Sequence, residues 1–278
     1  MSGFLEEMAQ ASAQRVVQAA RLEPLAALER RARAAPLSAP LRLSGRFDVI
    51  AELKLKSPAA GVLGSRSDDW LARVAAYARG GAAAVSVLTE PTRFDGALEH
   101  LLKASAVLLP LGVPAMRKDF LVDPYQVLEA RAAGAGGVLV ILRMLSRPQI
   151  SQLLDAAAEY RMFVLLEAFD EADLQTARDI LARRPSAPGG GADQLLIGIN
   201  SRNLQTLEVV RERFEMLAPL LPRGWPAVAE SGVAGAADAK RMLRLGYRLA
   251  LIGTALMTHD DPGQLLREIL TVARTPDS

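Results

Sequence analysis

Eight short apolar runs, each followed by a helix-like pattern, recur along the 278-residue chain, and no other feature narrows the possible folds as far. The runs cover residues 48–55, 82–90, 113–120, 137–142, 162–168, 195–200, 227–233 and 249–256. Strands alternating with helices argue for a parallel sheet whose neighbours are joined by crossover helices. Eight such units predict an α/β fold closed into a (β/α)8 TIM barrel rather than an open doubly wound sheet. The length matches the ~250 residues such a barrel needs. No GxGxxG follows the first run, which argues against a dinucleotide-binding sheet.

Residues 1–47 are rich in Ala, Arg and Leu and broken by Pro24, Pro36 and Pro40. They read as an N-terminal helical extension, one or two helices with an extended lead-in, and residues 48–278 read as the barrel, together a single domain. Gly61, Gly64 and Ser65 after the first run predict a flexible connection able to close over a ligand. Ser67-Asp68-Asp69 reads as a helix cap, Asp123-Pro124 as a helix start and Gly134 as a helix end. The low-complexity stretch 185–193, PSAPGGGAD, joins a helix to the sixth run, so it is expected on the N-terminal face, where this fold rarely carries chemistry.

Charge and composition exclude several function classes. Thirty-three Lys and Arg against 31 Asp and Glu leave +2, too balanced for an electrostatic nucleic-acid surface. The cluster Arg30, Arg31, Arg33 reads as a solvated helix face. The N-terminal MSGFLEEMAQ has acids where a signal peptide has bases, and no run approaches the ~18 uninterrupted apolar residues of a membrane span. A soluble, cytoplasmic protein without nucleic-acid or membrane partners is expected. With no cysteine there is no thiolate metal site, no disulfide and no Cys nucleophile. The only histidines, His100 and His259, lie outside the ends of the runs. No metal is therefore expected, and acid–base chemistry must run on Lys, Glu or Asp.

Those residue types collect at the ends of the runs. Side chains alternate along a strand, so Val49, Ala51, Leu53 and Leu55 face one way and Ile50, Glu52, Lys54 and Lys56 the other. Taken alone, that is a half-solvated strand with a charged outer face. The same ending recurs, however, as Glu90, Lys118, Glu167, Asn200, then Glu230 and Ser231. A bland account exists for each one: Glu90 could cap the next helix, and Arg117 or Lys118 could be half-exposed. In a barrel all of them point to one mouth, where active sites of this fold sit. Carboxylates and ammonium groups converging in a partly dry site suit proton transfer. Lys54 near Lys118 would lower the lysine's pKa and the carboxylates would raise it, which leaves the sign open. Ser231-Gly232 and Gly253-Thr254 follow the seventh and eighth runs, where backbone N–H groups commonly cradle a phosphate. A phosphorylated small molecule is the expected ligand.

These residues resemble the indole-3-glycerol phosphate synthase family over about residues 25–270, through IAELKLKSP, SVLTE with Phe94, RKDFLVDPYQ, LLEA, IGINSRNL, AESGV and LIGTALM in the family's order. The resemblance implies a barrel with extra N-terminal helices and cofactor-free conversion of 1-(2-carboxyphenylamino)-1-deoxyribulose 5-phosphate to indole-3-glycerol phosphate, CO2 and water. It implies Lys118 as general acid and Glu167 as the base of the dehydration, with Glu52, Lys54, Asn200, Glu230 and Ser231 at the other catalytic positions. Ser57, Gly232, Gly253 and Thr254 resemble substrate-binding positions, the last three for phosphate. Arg202 is similar to an arginine that orders the site, and Phe94 to the wall of an aromatic pocket. Departures are Ala59 and Ala60 for polar residues of the first loop, Ala168-Phe169 after the base, and the stretch 185–193. A monomer or homodimer is expected. The alternatives are a paralogue acting on a modified anthranilate, another phosphate-binding barrel such as a phosphoribosylanthranilate isomerase or a tryptophan-synthase α-like lyase, and a non-catalytic ligand-binding barrel.

Overall fold

The computed structural model describes residues 3–57, 61–62, 69–184 and 194–275, with Ser57 and Val62 described in backbone alone. Eight parallel strands pair in chain order and close the eighth onto the first. They are β1 (Asp48–Leu53), β2 (Ala84–Leu88), β3 (Ala115–Lys118), β4 (Gly137–Ile141), β5 (Phe163–Ala168), β6 (Leu195–Asn200), β7 (Ala227–Glu230) and β8 (Leu249–Ile252). All but the sixth are shorter than the apolar runs that predicted them. The first strand is buried throughout, so its charged side is not a solvated outer face. After it a two-residue hairpin pairs Lys56 and Ser57 with Val62 and Gly61. Gly64, Ser65, Ala59 and Ala60 lie outside the described residues, as does the stretch 185–193.

Helix ends follow the sequence punctuation. Asp69 caps α3 (Trp70–Arg79) by accepting from the N–H groups of Leu71 and Ala72. After α4 (Pro91–Phe94) and α5 (Leu98–Leu108), Asp123 and Gln126 form a capping box on α6 (Pro124–Ala132), and Gly134, at φ +83°, follows its end. Ser146 precedes α7 (Arg147–Glu159), and Asp170 caps α8 (Glu171–Leu181). The eightfold helix pattern weakens between β6 and β7, where the five-residue helix Arg213–Leu217 is the longest. A short helix, Thr254–Thr258, and a longer one, Pro262–Arg274, follow β8. Before the barrel, α1 (Gly3–Leu22) and α2 (Leu25–Ala34) separate at Pro24, and residues 35–47 lead into β1. Leu28 and Ala32 of α2 pack on Tyr125, Leu128 and Ala132 of α6.

Strand parity divides the core in two. Val49, Ala51 and Leu53 of β1 pack outward with Val74, Tyr77 and Leu101 of the surrounding helices. Inside the barrel, Ile50, Met116, Leu139, Leu165, Leu196, Val228 and Leu249 form an apolar plug with Phe163. The plug has a close approach at its base: a Cβ on Gly137 would lie 2.4 Å from the Phe163 ring. Gly137→Ala must therefore push a packed aromatic aside, at a cost of about 1–3 kcal/mol. We expect the variant's thermal midpoint to drop by several degrees, and Phe163→Leu to recover part of the loss. A Gly137→Ala protein that melts with the parent would show that the plug is not close-packed there.

Candidate active site

Two residues beyond four of the plug residues, on the same strand face, stands a charged group of the mouth. Ile50 is followed in this way by Glu52, Met116 by Lys118, Leu165 by Glu167, and Val228 by Glu230. The charges thus rest directly on an apolar floor. Glu52, Glu167 and Glu230 are all buried. Lys118 Nζ lies 3.5 Å from Glu52, 3.8 Å from Glu167 and 3.8 Å from Glu230. Lys54, one further step along β1's inner face, pairs with Glu52 at 3.0 Å. Glu52 therefore bridges the two ammonium groups.

Burial pulls the Lys118 pKa down, but the three carboxylates outweigh it and the net shift is upward. This decides the sign the sequence left open, and Lys54 is not the neighbour that sets it. Burial likewise pushes the Glu52 carboxyl up, and Lys54 and Lys118 overcome it, holding Glu52 below the usual carboxylate range. Glu230 goes the other way. Burial and the Glu167 charge beside it raise its pKa well above the ordinary value. Both Glu230 oxygens and Glu167 Oε2 lack hydrogen-bond partners among the described residues.

Two glycines make room for these carboxylates. A Cβ on Gly198 would lie 1.9 Å from Glu230 Oε1, and one on Gly253 would lie 2.4 Å from Glu52 Oε1. Gly253 was expected only as a phosphate ligand; its lack of a side chain is what lets Glu52 stand where it does. Asn200 is oriented from two sides, its Oδ1 accepting from Ser231 Oγ at 2.9 Å and from the Arg202 N–H at 2.9 Å. Ser231 sits at φ +67° and Gly232 at +82°, so the chain after β7 turns sharply at the mouth. The Arg202 guanidinium donates to the Leu207 carbonyl at 2.6 Å, bracing the loop after β6.

A cavity of about 410 Å³ opens above the cluster. Glu52, Lys54, Phe94, Lys118, Glu167, Asn200, Arg202, Glu230, Ser231, Gly232, Gly253 and Thr254 all line it. Of the expected residues, only Ser57 has no described side chain; its backbone lies in the hairpin after β1. Glu90 belongs elsewhere. Its carboxylate accepts from the N–H groups of Thr92 and Arg93, capping the short helix Pro91–Phe94, and it meets Arg15 at 3.3 Å. The bland account of Glu90 is the correct one. His100 packs edge-on against Trp70, and His259 accepts from the Asp261 N–H, so neither enters the mouth.

Sequence reasoning missed part of the wall. Phe120 packs against Phe94, centroids 6.2 Å apart, and edge-on against Phe4 of α1 at 5.8 Å. Phe120 had a legible signal, since it lies two residues beyond Lys118. Phe4 had none, because nothing local reveals where a preceding helix docks. Leu204 and Arg211 also line the cavity from the loop after β6, and Arg211 is paired with Asp238 at 3.4 Å.

Comparison with known proteins places the chain. A family model described as indole-3-glycerol phosphate synthase matches residues 5–269. A protein of that name from Parafrankia sp. is 42% identical over 231 residues, covering 83% of this chain and 80% of its own. One from Mycolicibacterium gilvum is 39% identical over 256 residues, covering 91% and 88%. Among solved structures, 3-hexulose-6-phosphate synthase from Salmonella typhimurium superposes with a TM-score of 0.59 at 14% identity, covering 82% of this chain and 98% of its own. Thiamine phosphate pyrophosphorylase from Pyrococcus furiosus gives 0.56 at 15%, covering 82% and 95%. At such identities the last two speak for the barrel alone. With Lys118 ringed by three carboxylates, a family match over nearly the whole chain and relatives near 40% identity, the chain belongs to the indole-3-glycerol phosphate synthase family.

Proposed function

We propose that this chain is a carboxy-lyase that closes the indole ring of 1-(2-carboxyphenylamino)-1-deoxyribulose 5-phosphate without a cofactor, releasing CO2 and water and leaving indole-3-glycerol phosphate. The observation that carries the reading is the Lys118 ammonium within 3.8 Å of three buried carboxylates, over an apolar floor and beside a phenylalanine wall. The anilino ring stacks against Phe94 and Phe120, and its carboxylate-bearing carbon attacks the ribulose ketone. Lys118 protonates the ketone oxygen as it gains charge. Its raised pKa keeps it charged until that moment. The developing alkoxide is a strong base, able to draw the proton even from so weak an acid. The C–CO2 bond then breaks and its electron pair returns to the ring. Finally the C–OH bond breaks and Glu167 takes the proton from carbon; that proton and the departing hydroxide make the water, and Lys118 regains its own proton from solvent. Glu52, itself paired with Lys54, holds Lys118 in place, and Asn200, oriented by Ser231 and Arg202, lies beside the reacting chain.

The phosphate sits on the loops after β7 and β8, at Gly232, Gly253 and Thr254, which line the cavity at the place where backbone N–H groups of this fold commonly cradle an anion. Holding a flexible substrate at its phosphate and its ring folds it into the reactive pose and removes much of the entropic barrier. The reading carries a cytoplasmic location, no nucleic-acid or membrane partner, and a monomer or homodimer. The near-balanced charge supports it. So does the finding that no helix of the described residues is long and apolar enough to cross a membrane.

Lys118→Met keeps the stem and removes the proton and the charge. Product release followed by indole fluorescence should fall at least ~10²-fold, the scale of losing a general acid, while a product analogue still binds. Near-parental turnover by this variant would remove Lys118 from the role. Glu230 gives a separate test through pH. Its raised pKa means the folded chain keeps a proton that the unfolded chain releases above the ordinary carboxylate range. Stability therefore falls as pH rises through that window, by at most about 1.4 kcal/mol per pH unit. Glu52, shifted downward, changes stability only below the ordinary range, and Lys118 only far above it. Glu230→Gln, which mimics the protonated acid, should melt progressively higher than the parent as pH is raised from about 5 to 8. Parallel melting curves for the two proteins would mean that Glu230 is ionised.

A further inference from the structure

Ala168-Phe169 directly follows Glu167, the proposed base, and the proposed reaction does not use it. Phe169 is buried. Strand parity puts it on the inner face with Leu165 and Glu167, and it packs in the inner cluster of the barrel. The Arg143 guanidinium lies over its ring, 4.5 Å from the centroid. Arg143 comes from the turn Leu142–Met144 after β4. Its Nε donates to Asp173 Oδ2 at 2.8 Å, and its Nη2 donates to Asp170 Oδ2. Asp173 Oδ2 also accepts from the Phe169 N–H at 2.8 Å. The ring and the peptide of Phe169 are thus held by one guanidinium and the carboxylate it engages.

Glu167 has little else to fix its direction. Its Oε2 has no hydrogen-bond partner among the described residues, and Lys118 stands 3.8 Å away. Pairing of β5 with β4 ends at Glu167, opposite Ile141, and pairing with β6 ends at Ala168, opposite Ile199. The clamp takes hold at the next residue, where the sheet stops. Asp170 caps α8 by accepting from the Asp173 N–H at 3.0 Å. Arg143 therefore joins the end of β4 to the end of β5 and to the first turn of α8. Neither Arg143 nor Phe169 nor Asp173 lines the cavity above the cluster, so the clamp acts from behind the wall.

We infer that Arg143 is a positioning residue for the dehydration: by gripping Phe169 through its ring and its peptide, it sets the direction in which Glu167 leaves the end of β5. The inference rests on the proposed role of Glu167. A guanidinium that forks onto carboxylates and stacks on a ring fixes angle as well as distance, which an ammonium does not. Small displacements of a reacting group cost large factors in rate. In the proposed order of steps, CO2 departs before the proton is taken from carbon. Loss of Arg143 should therefore slow the appearance of the indole ring and leave CO2 release alone. A merely structural loss would slow both.

The test follows both products in single-turnover reactions with enzyme in excess, CO2 from substrate labelled in its carboxylate and indole by its fluorescence. Arg143→Met, Arg147→Met and Glu167→Gln are compared with the parent. Arg147→Met removes the exposed contact of α7 with Asp179 of α8, so it controls for general docking of α8. In Arg143→Met, indole should appear roughly ten-fold more slowly while CO2 release stays within about two-fold of the parent. Both signals should be parental in Arg147→Met, and Glu167→Gln should separate them further than Arg143→Met does. If Arg143→Met does not fold, Phe169→Leu, which stays apolar and removes the stacked ring, should separate the two signals in the same sense. Parental indole formation in Arg143→Met, an equal slowing of both products, or the same separation in Arg147→Met would each overturn the inference. Equal slowing of both products in Glu167→Gln would overturn the base assignment and this inference with it. A parent inactive on the carboxyphenylamino substrate would overturn the functional reading itself.

Discussion

The contact on which the site depends is that of one ammonium with three carboxylates. Charges of this density on a hydrocarbon floor are expensive to desolvate, and a buried ion pair seldom returns its full cost in stability. The barrel accommodates them by near-balance. Two ammonium groups, Lys54 and Lys118, face three carboxyls, and burial with the neighbouring Glu167 raises the pKa of Glu230, which lessens the excess of negative charge. Removing any one member strands the rest. The arrangement makes sense only if it serves chemistry, since an all-apolar upper layer would fold at lower cost.

Strand parity builds that cluster with little else. One face of β1, β3, β5, β6 and β7 supplies plug residues at its base and a polar or charged group at its end, so the backbone that fills the interior also aims the side chains. Where two large groups would collide across neighbouring strands, one is a glycine: Gly198 lies under Glu230, Gly253 beside Glu52, and Gly137 under Phe163. These are packing solutions at the tightest points of a closed sheet, where a parallel register allows no adjustment.

The same parity explains what could be read from the sequence. The eight runs, their order and the residues at their ends depend on local periodicity, which survives in one dimension. Glu90 was misplaced because an acid after a strand has two uses, capping and chemistry, and the run of letters is the same for both. Gly253 was given only half its role, because the atom it makes room for lies on β1, some two hundred positions away. Phe4 was invisible for a related reason. Its position follows from how α1 docks on the mouth, a long-range event that leaves an ordinary amphipathic pattern behind.

The charge balance also constrains how a phosphorylated substrate is held. Both lysines of the mouth are committed to carboxylates, Arg202 to the Leu207 carbonyl and Arg211 to Asp238. A phosphate that drew on Lys54 or Lys118 would unbalance the cluster and pull the acid away from the ketone. Neutral donors avoid this, because backbone N–H groups bring dipoles without adding a titratable charge. The turn at Ser231 and Gly232, in the left-handed region, and the start of the short helix at Thr254 line the same cavity, and on the proposed reading they supply such donors. Binding and chemistry are thereby assigned to different kinds of group, dipoles for the phosphate and full charges for the ring closure. One small mouth can then hold an anion tightly without disturbing the ammonium that must give up its proton.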